Sequence, residues 1–457
     1  MSDVSSRLSI FQPATVAYAL LAALSVTGGC ATYEPHMMPA PVVFKDDRLD
    51  FAPRLSSELR TTRVPVFYAA VGPPVADDKT APSDAGADDA LRFGVADVRL
   101  GEPQWNWDDL LASDRVSTID HLRPGAVTNV DDLGRAPRGA DVPASAARDF
   151  IARINAQLAR ANNKELVLYV HGYRVTFDDV AVTMSSFEHY LGHGAMVFFR
   201  WPTGVHWWNY GDCDRAERYI PDIENVIALV ARSDAQYINL IAYSCGSSLL
   251  ARALVRLRSR QPNEDRAALA RRYRLGNVIF AASDIDFKTF ARDYVPPIMD
   301  LAQQTIVYMS RNDRALWFSS LVAGGSRLGS PDVAELTPQE LERLAADPRF
   351  QGIDVSDVRG AHEVSGGARG HGYWYANEWI SADVTVSLRY PVPPGKRCLV
   401  RPPGRNVWRF PDDYPQCLAE QLLRIAPEVR RTAPGARSPS DPPAAAAEPS
   451  PLAVVPQ

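Results

Sequence analysis

The chain has no excess of positive charge. Its 49 Lys and Arg against 54 Asp and Glu leave a formal net charge of -5 over 457 residues, which removes the basic footprint of a nucleic-acid-binding protein. Cysteine is scarce, five in all; none forms a CxxC pair and no histidine stands near one at zinc-ligand spacing, so no structural metal is expected. Nothing in the pattern calls for a cofactor. The apolar run Ala14 to Val26 is too short for a permanent membrane-spanning helix, and no internal repeat marks a solenoid. A soluble globular composition remains, with enough apolar residues to bury a sizeable core.

That short apolar run has a meaning of its own. Arg7 precedes it and Thr27-Gly28-Gly29-Cys30 follows, which is an export-signal pattern over residues 1–30. Small residues directly before a cysteine resemble the lipobox of bacterial lipoproteins, which makes Cys30 a candidate for lipidation and the membrane a candidate partner. The expected location is the cell envelope on the periplasmic side, or secretion if Cys30 is not acylated. Residues 31–60, rich in proline and polar side chains, read as a tether. Gly72 to Ala90 is Asp-, Ala- and Pro-rich and reads as a mobile loop between strands at Val64 to Val71 and Leu91 to Val98. Residues 391–431 form a C-terminal extension, in which Cys398 and Cys417 are candidates for a disulfide, and 432–457 (Ala, Pro, Ser) read as a disordered tail. Cys245 is expected to stay free.

From Ala144 onward, helical patterns alternate with short, almost wholly apolar strands: Glu165 to Val170, Ala195 to Arg200, Tyr237 to Ala242, Asn277 to Ala282 and Thr305 to Met309. Such strands belong to a mostly parallel sheet covered by helices on both faces, an α/β domain over residues 61–390. Phe150, Ile151, Ile154 and Leu158 mark one covering helix, Arg215 to Ala231 continues the alternation, and Thr337-Pro338-Gln339-Glu340 is a capping box that starts another. The arginines between Arg252 and Arg274 fall at helical spacing and read as a solvated face.

One strand, YINLIA, runs into Tyr243-Ser244-Cys245-Gly246 and then straight into a helical pattern. That context is the one a nucleophile elbow needs, a sharp strand-to-helix turn that lifts a serine hydroxyl clear of the sheet, although Ala242 replaces the first glycine of G-x-S-x-G. Upstream, His171-Gly172-Tyr173-Arg174 closes an earlier strand, where backbone amides of Tyr173 and Cys245 are candidates for an oxyanion hole. His171 reads as a loop-shaping residue, with Gly172 and Gly246 allowing close backbone approach. The chain order Ser, Asp, His leaves Asp313 as the preferred acid, since it follows the last strand expected before the histidine, while Asp284 and Asp286 read better as caps of the next helix. His371, in Gly370-His371-Gly372 before a helical stretch from Trp374 to Val384, is the preferred base over His362. Trp201, Tyr210 and Trp374, with Trp207 and Trp208, are candidates for a pocket, though each is equally well read as packing.

The set LVLYVHGYRVTFDDV, VFFRWPTG, INLIAYSCG, VIFAASDIDFKTF, YMSRNDRAL and GHGYWYANEWISADV resembles a bacterial family of α/β-hydrolases of unknown function, esterase- or lipase-like. It covers roughly Val64 to Leu388, and it implies the α/β-hydrolase fold with Ser244, Asp313 and His371 as triad. Tyr243 and Cys245 depart from the His and Met that commonly flank the family's serine. The expected activity is hydrolysis of a small-molecule or lipid carboxylic ester in the cell envelope. An amidase or acyltransferase would use the same nucleophile, and a non-catalytic interaction protein would keep only the fold.

Overall fold

The computed structural model of the chain describes residues 35–50, 60–72, 90–161, 163–192, 194–204, 211–362, 370–402 and 407–431. The leader at 1–30, most of the loop read between Gly72 and Ala90, the aromatic residues Trp207, Trp208 and Tyr210, and the tail at 432–457 lie outside the described residues.

Among the described residues ten strands form one sheet: β1 (Arg63–Val71), β2 (Ala90–Leu100), β3 (Gly125–Pro137), β4 (Glu165–Val170), β5 (Ala195–Arg200), β6 (Tyr237–Tyr243), β7 (Leu275–Ala281), β8 (Ala302–Met309), β9 (Phe350–Asp354) and β10 (Val407–Arg409). Their order across the sheet is β10-β9-β8-β7-β6-β4-β5-β1-β2-β3. Every pair from β10 to β1 is parallel, and only β1/β2 and β2/β3 are antiparallel. Helices of seven residues or more are α1 (Trp107–Val116), α2 (Ala144–Arg160), α3 (Phe177–Leu191), α4 (Ile220–Val230), α5 (Gly246–Ser259), α6 (Arg266–Tyr273), α7 (Val295–Leu301), α8 (Arg314–Ala323), α9 (Pro338–Ala346), α10 (Glu378–Arg389) and α11 (Tyr414–Ile425).

The unbroken apolar character of β4 follows from burial on both faces. Leu166, Leu168 and Val170 point into one core, Val167 and Tyr169 into the other. Helix α2 buries Ala147, Phe150, Ile154 and Leu158 against the first of these. Helix α3 packs its apolar face into the second, after a capping box between Thr176 and Asp179 and before Gly192, which ends it in the left-handed region at φ 67°. The chain runs from β4 out to β5 and then returns to the other side of β4 as β6, so the strand order reverses there. In such sheets ligands bind at the carboxyl ends of the strands flanking that reversal. Val170 lies opposite Ala242, which brings His171 and Ser244 to that one edge.

Several expectations need correction. Residues 35–50 are no tether: Met37, Met38, Val43, Phe44 and Leu49 are buried. Their backbone is held as well, since Arg123 Nη2 donates to Met38 O at 3.0 Å and Ala40 N donates to Ser117 Oγ at 2.9 Å. Nor is the C-terminal extension an appendage. Tyr414, Leu418 and Leu422 join the core, and Cys398 and Cys417 are disulfide-bonded. Strand β3 escaped the sequence because it lies at the sheet edge with only two of its thirteen residues buried, so its alternation is weak. Strand β9 was likewise unseen, and it places one more strand between Asp313 and His371. The helical stretch after His371 is interrupted at Asn377, which caps α10 through Trp379 N and Ile380 N.

The capping box at Thr337 and Glu340 forms as expected. The arginine-rich stretch is paired at the surface, Arg258 with Asp300 and Arg256 and Arg260 with the buried Glu224. Among the described residues no helix is long and apolar enough to cross a membrane, and no group of three or more His, Cys, Asp or Glu is placed to hold a metal ion.

Candidate active site

Ser244 sits between β6 and α5 with φ 54°, in the left-handed region. A non-glycine residue there costs on the order of 1 kcal/mol or more, so the surroundings must enforce it. They do so by close approach. A Cβ on Gly246 would fall 2.2 Å from His171 O, and one on Gly172 would fall 2.8 Å from the Ser244 Cβ. The Ser244 amide donates to Ala281 O at 3.1 Å, and the Asp284 amide donates to Ser244 O at 3.3 Å. The turn is thus held by both neighbouring strands.

Asp313 caps α8 directly after β8. One carboxylate oxygen accepts from Leu316 N at 3.1 Å, and the other faces His371 Nδ1 at 2.7 Å. The His371 Nε2 stands 2.9 Å from Ser244 Oγ. All three side chains are buried or nearly so. His371 reaches this position because Gly370, at φ 79°, lies where a Cβ would meet Asn312 O at 2.8 Å. Tyr373 then anchors the turn, its hydroxyl donating to Tyr308 O at 2.8 Å and accepting from Ala282 N at 2.9 Å. Burial disfavours a charged imidazole, but the charge and hydrogen bond of Asp313, with a smaller contribution from Asp284, outweigh it, and the His371 pKa is held above its usual 6.5.

The other sequence candidates divide. His171 shapes the loop: Trp201 N donates to its Nε2 at 3.2 Å, so the proton sits on Nδ1, which donates to Gly172 O at 2.5 Å. Burial, with the nearby Arg200, pushes its pKa down to about 3, so it stays neutral. Tyr173 follows Gly172, which closely approaches the Ser244 Cβ, and Cys245 follows Ser244 at the start of α5, where first-turn amides have no acceptor within the helix. Cys245, expected to be free, is disulfide-bonded to Cys213. The helical segments after Gly211 pack with Ala216 and Tyr219 into the same core as Cys245, bringing the two Cα atoms to 5.6 Å.

Trp201 and Trp374 are not pocket walls. Trp201 is fully buried, donates from Nε1 to His171 O at 2.9 Å and stacks on the His171 ring at 5.5 Å. Trp374 is fully buried against Tyr169, Phe187 and Tyr243. Asp286 caps the turn after it through Thr289 N at 2.8 Å, as expected. Asp284 does not cap: it accepts from Ser319 Oγ at 2.5 Å and pairs with Arg327 at 3.2 Å. His362 is exposed. No local pattern marks Tyr243 as a support for the base, yet its ring packs on His371 at 5.1 Å.

A serine on a left-handed turn between a parallel strand and a helix, backed by a buried His and Asp, is the arrangement of the α/β-hydrolases. Residues 146–385, more than half of the chain, match the model of the family described as "Alpha/beta hydrolase of unknown function (DUF900)". The chain belongs to this family. The matched span takes in β4 to β9, with Ser244, Asp313 and His371 all inside it, and leaves β1 to β3, α11 and the disulfide at Cys398 outside. Among solved structures, the apo form of Thermogutta terrifontis esterase 2 is similar at 12% identity, with a TM-score of 0.27, covering 50% of this chain and 82% of that one. No curated protein matches the chain.

Proposed function

We propose that this α/β hydrolase cleaves carboxylic esters through an acyl-enzyme on Ser244. The observation that carries the reading is the unbroken hydrogen-bonded line from Asp313 through His371 to Ser244 Oγ, at 2.7 and 2.9 Å. His371 Nε2 takes the hydroxyl proton as Oγ forms its bond to the ester carbonyl carbon, and the amides of Tyr173 and Cys245 receive the developing oxyanion. The carbonyl then re-forms, the bond to the alcohol oxygen breaks, and His371 returns the proton to the leaving alkoxide. Water repeats the sequence on the acyl-enzyme and releases the acid. Asp313 fixes the tautomer with Nδ1 protonated and steadies the imidazolium. Support for a cell-envelope location comes from the leader and Cys30, whose acylation would anchor the chain to a membrane.

A fluorophosphonate probe tests the nucleophile. It should label the wild-type protein and leave Ser244→Ala unlabelled, with hydrolysis of p-nitrophenyl esters lost in parallel. Equal labelling of both, or no labelling of a folded wild-type protein, would reject Ser244.

The pH profile follows from the base. Only neutral His371 accepts the serine proton, so activity is present above its pKa and is lost as pH falls through it. Because that pKa is raised, the acid limb of kcat/KM for a p-nitrophenyl ester should have its midpoint above 6.5. In Asp313→Asn the limb should move to lower pH, since the raising charge is gone; an unmoved limb would separate Asp313 from the base.

A further inference from the structure

Helix α8 begins at Asp313 and carries an apolar face into solvent. Trp317, Leu321 and Val322, four and five residues apart along one side, are 62%, 63% and 59% exposed, while Leu316 and Ser319 face inward. Contiguous apolar surface of this kind marks a contact site. Its N-terminal end is basic. Arg311 and Arg409 pair with Asp354 and Asp357, two cations against two anions. Arg314 and Arg359 have no ion-pair or hydrogen-bond partner for their guanidinium groups among the described residues; with the Asp313 carboxylate counted, the described charges at this end are four arginines against three carboxylates, a net positive one. Both line a cavity of about 1020 Å³ whose wall also includes Trp317 and Asp313.

We propose that this face docks on an anionic lipid surface, with lipid phosphates meeting Arg314 and Arg359 at the cavity and Trp317, Leu321 and Val322 entering the boundary of headgroups and acyl chains. An apolar stripe beside basic side chains is what an interfacial helix requires, and tryptophan favours that boundary because its ring is apolar and its N–H polar. The charge matches anionic headgroups. Docking stands on α8 and its arginines alone; that it presents a lipid ester to Ser244 rests on the hydrolase reading, through Asp313, which both starts α8 and holds His371.

The test uses the full chain carrying Cys30→Ser and Leu321→Cys, labelled at position 321 with a nitrobenzoxadiazole fluorophore, the other four cysteines being in disulfides. Vesicles of phosphatidylcholine and phosphatidylglycerol in equal parts should raise the emission and shift it to the blue, and phosphatidylcholine alone should not. Arg314→Ala with Arg359→Ala should weaken partitioning to the anionic vesicles about 30-fold. No response to either vesicle overturns the proposal, as does an equal response to both. A response that grows with protein concentration without vesicles also overturns it, and assigns the face to a second copy of the chain. Fluorophosphonate labelling of the same samples keeps the two claims apart: reactive protein that does not dock loses only this inference, and docking protein with an unreactive Ser244 loses only the hydrolase reading.

Discussion

Replacing His371 by alanine should lower kcat for p-nitrophenyl ester hydrolysis by on the order of a million-fold, the scale seen when one member of a serine triad is removed. The size follows from position. His371 is the group 2.9 Å from Ser244 Oγ, and its second nitrogen is committed to Asp313. Without it the hydroxyl keeps its proton and the leaving group has no donor. The double variant Ser244→Ala with His371→Ala should be little worse than either alone, because the two act as a unit. What survives belongs to the oxyanion donors and to substrate binding. A loss smaller than about 100-fold, the lower end of what general acid–base catalysis supplies, would move the base elsewhere. His362→Ala is the control and should leave the rate unchanged, since that ring is exposed.

Replacing Arg397 by alanine should cost about 3 to 5 kcal/mol of stability, as expected when one partner of a buried ion pair is removed and the other is left without compensation. Arg397 is 1% exposed and Asp383 is fully buried. Arg397 Nε donates to Asp383 Oδ1 at 2.8 Å, and Tyr308 OH donates to Asp383 Oδ2 at 2.6 Å. The same arginine reaches Gln351 Oε1 at 3.3 Å. It therefore joins the C-terminal extension to β8, β9 and α10. A fall in Tm of ~5 °C is the expected readout for a domain of this size, measured by differential scanning calorimetry. Arg397→Met with Asp383→Leu should recover much of the loss, since no charge is then left buried. A shift below about 1 kcal/mol in the single variant would mean that water reaches Asp383.

These two sites differ in how far they could be read beforehand. Ser244 is marked by its own neighbours, because an apolar strand, a turn of small residues and a helical pattern within a few positions leave little choice of backbone. Asp313 and His371 follow from chain order and from turns built to project a side chain. Arg397 carries no such mark. Its partner Asp383 lies in a helix with a polar residue at an ordinary spacing, and nothing local says that either is buried. The same blindness hid the burial of Met37, Met38, Val43, Phe44 and Leu49 and made Trp201 a candidate pocket wall: an aromatic residue after a strand has the same sequence signature in a core as at a site.

By itself the sequence determined what depends on short-range physics: the apolar strands of a sheet covered on both faces, the capping box at Thr337, and the turn that presents Ser244. Tertiary structure alone decided what depends on partners far along the chain. Ser244 and His371 are 127 positions apart, Cys213 reaches Cys245 across 32, and the exposure of Trp317 rests on which face of α8 the loops at Asp284 and Gly329 cover. Periodicity and turn chemistry act over a few residues and leave a local trace, whereas burial and pairing are set by which surfaces meet when the layers close.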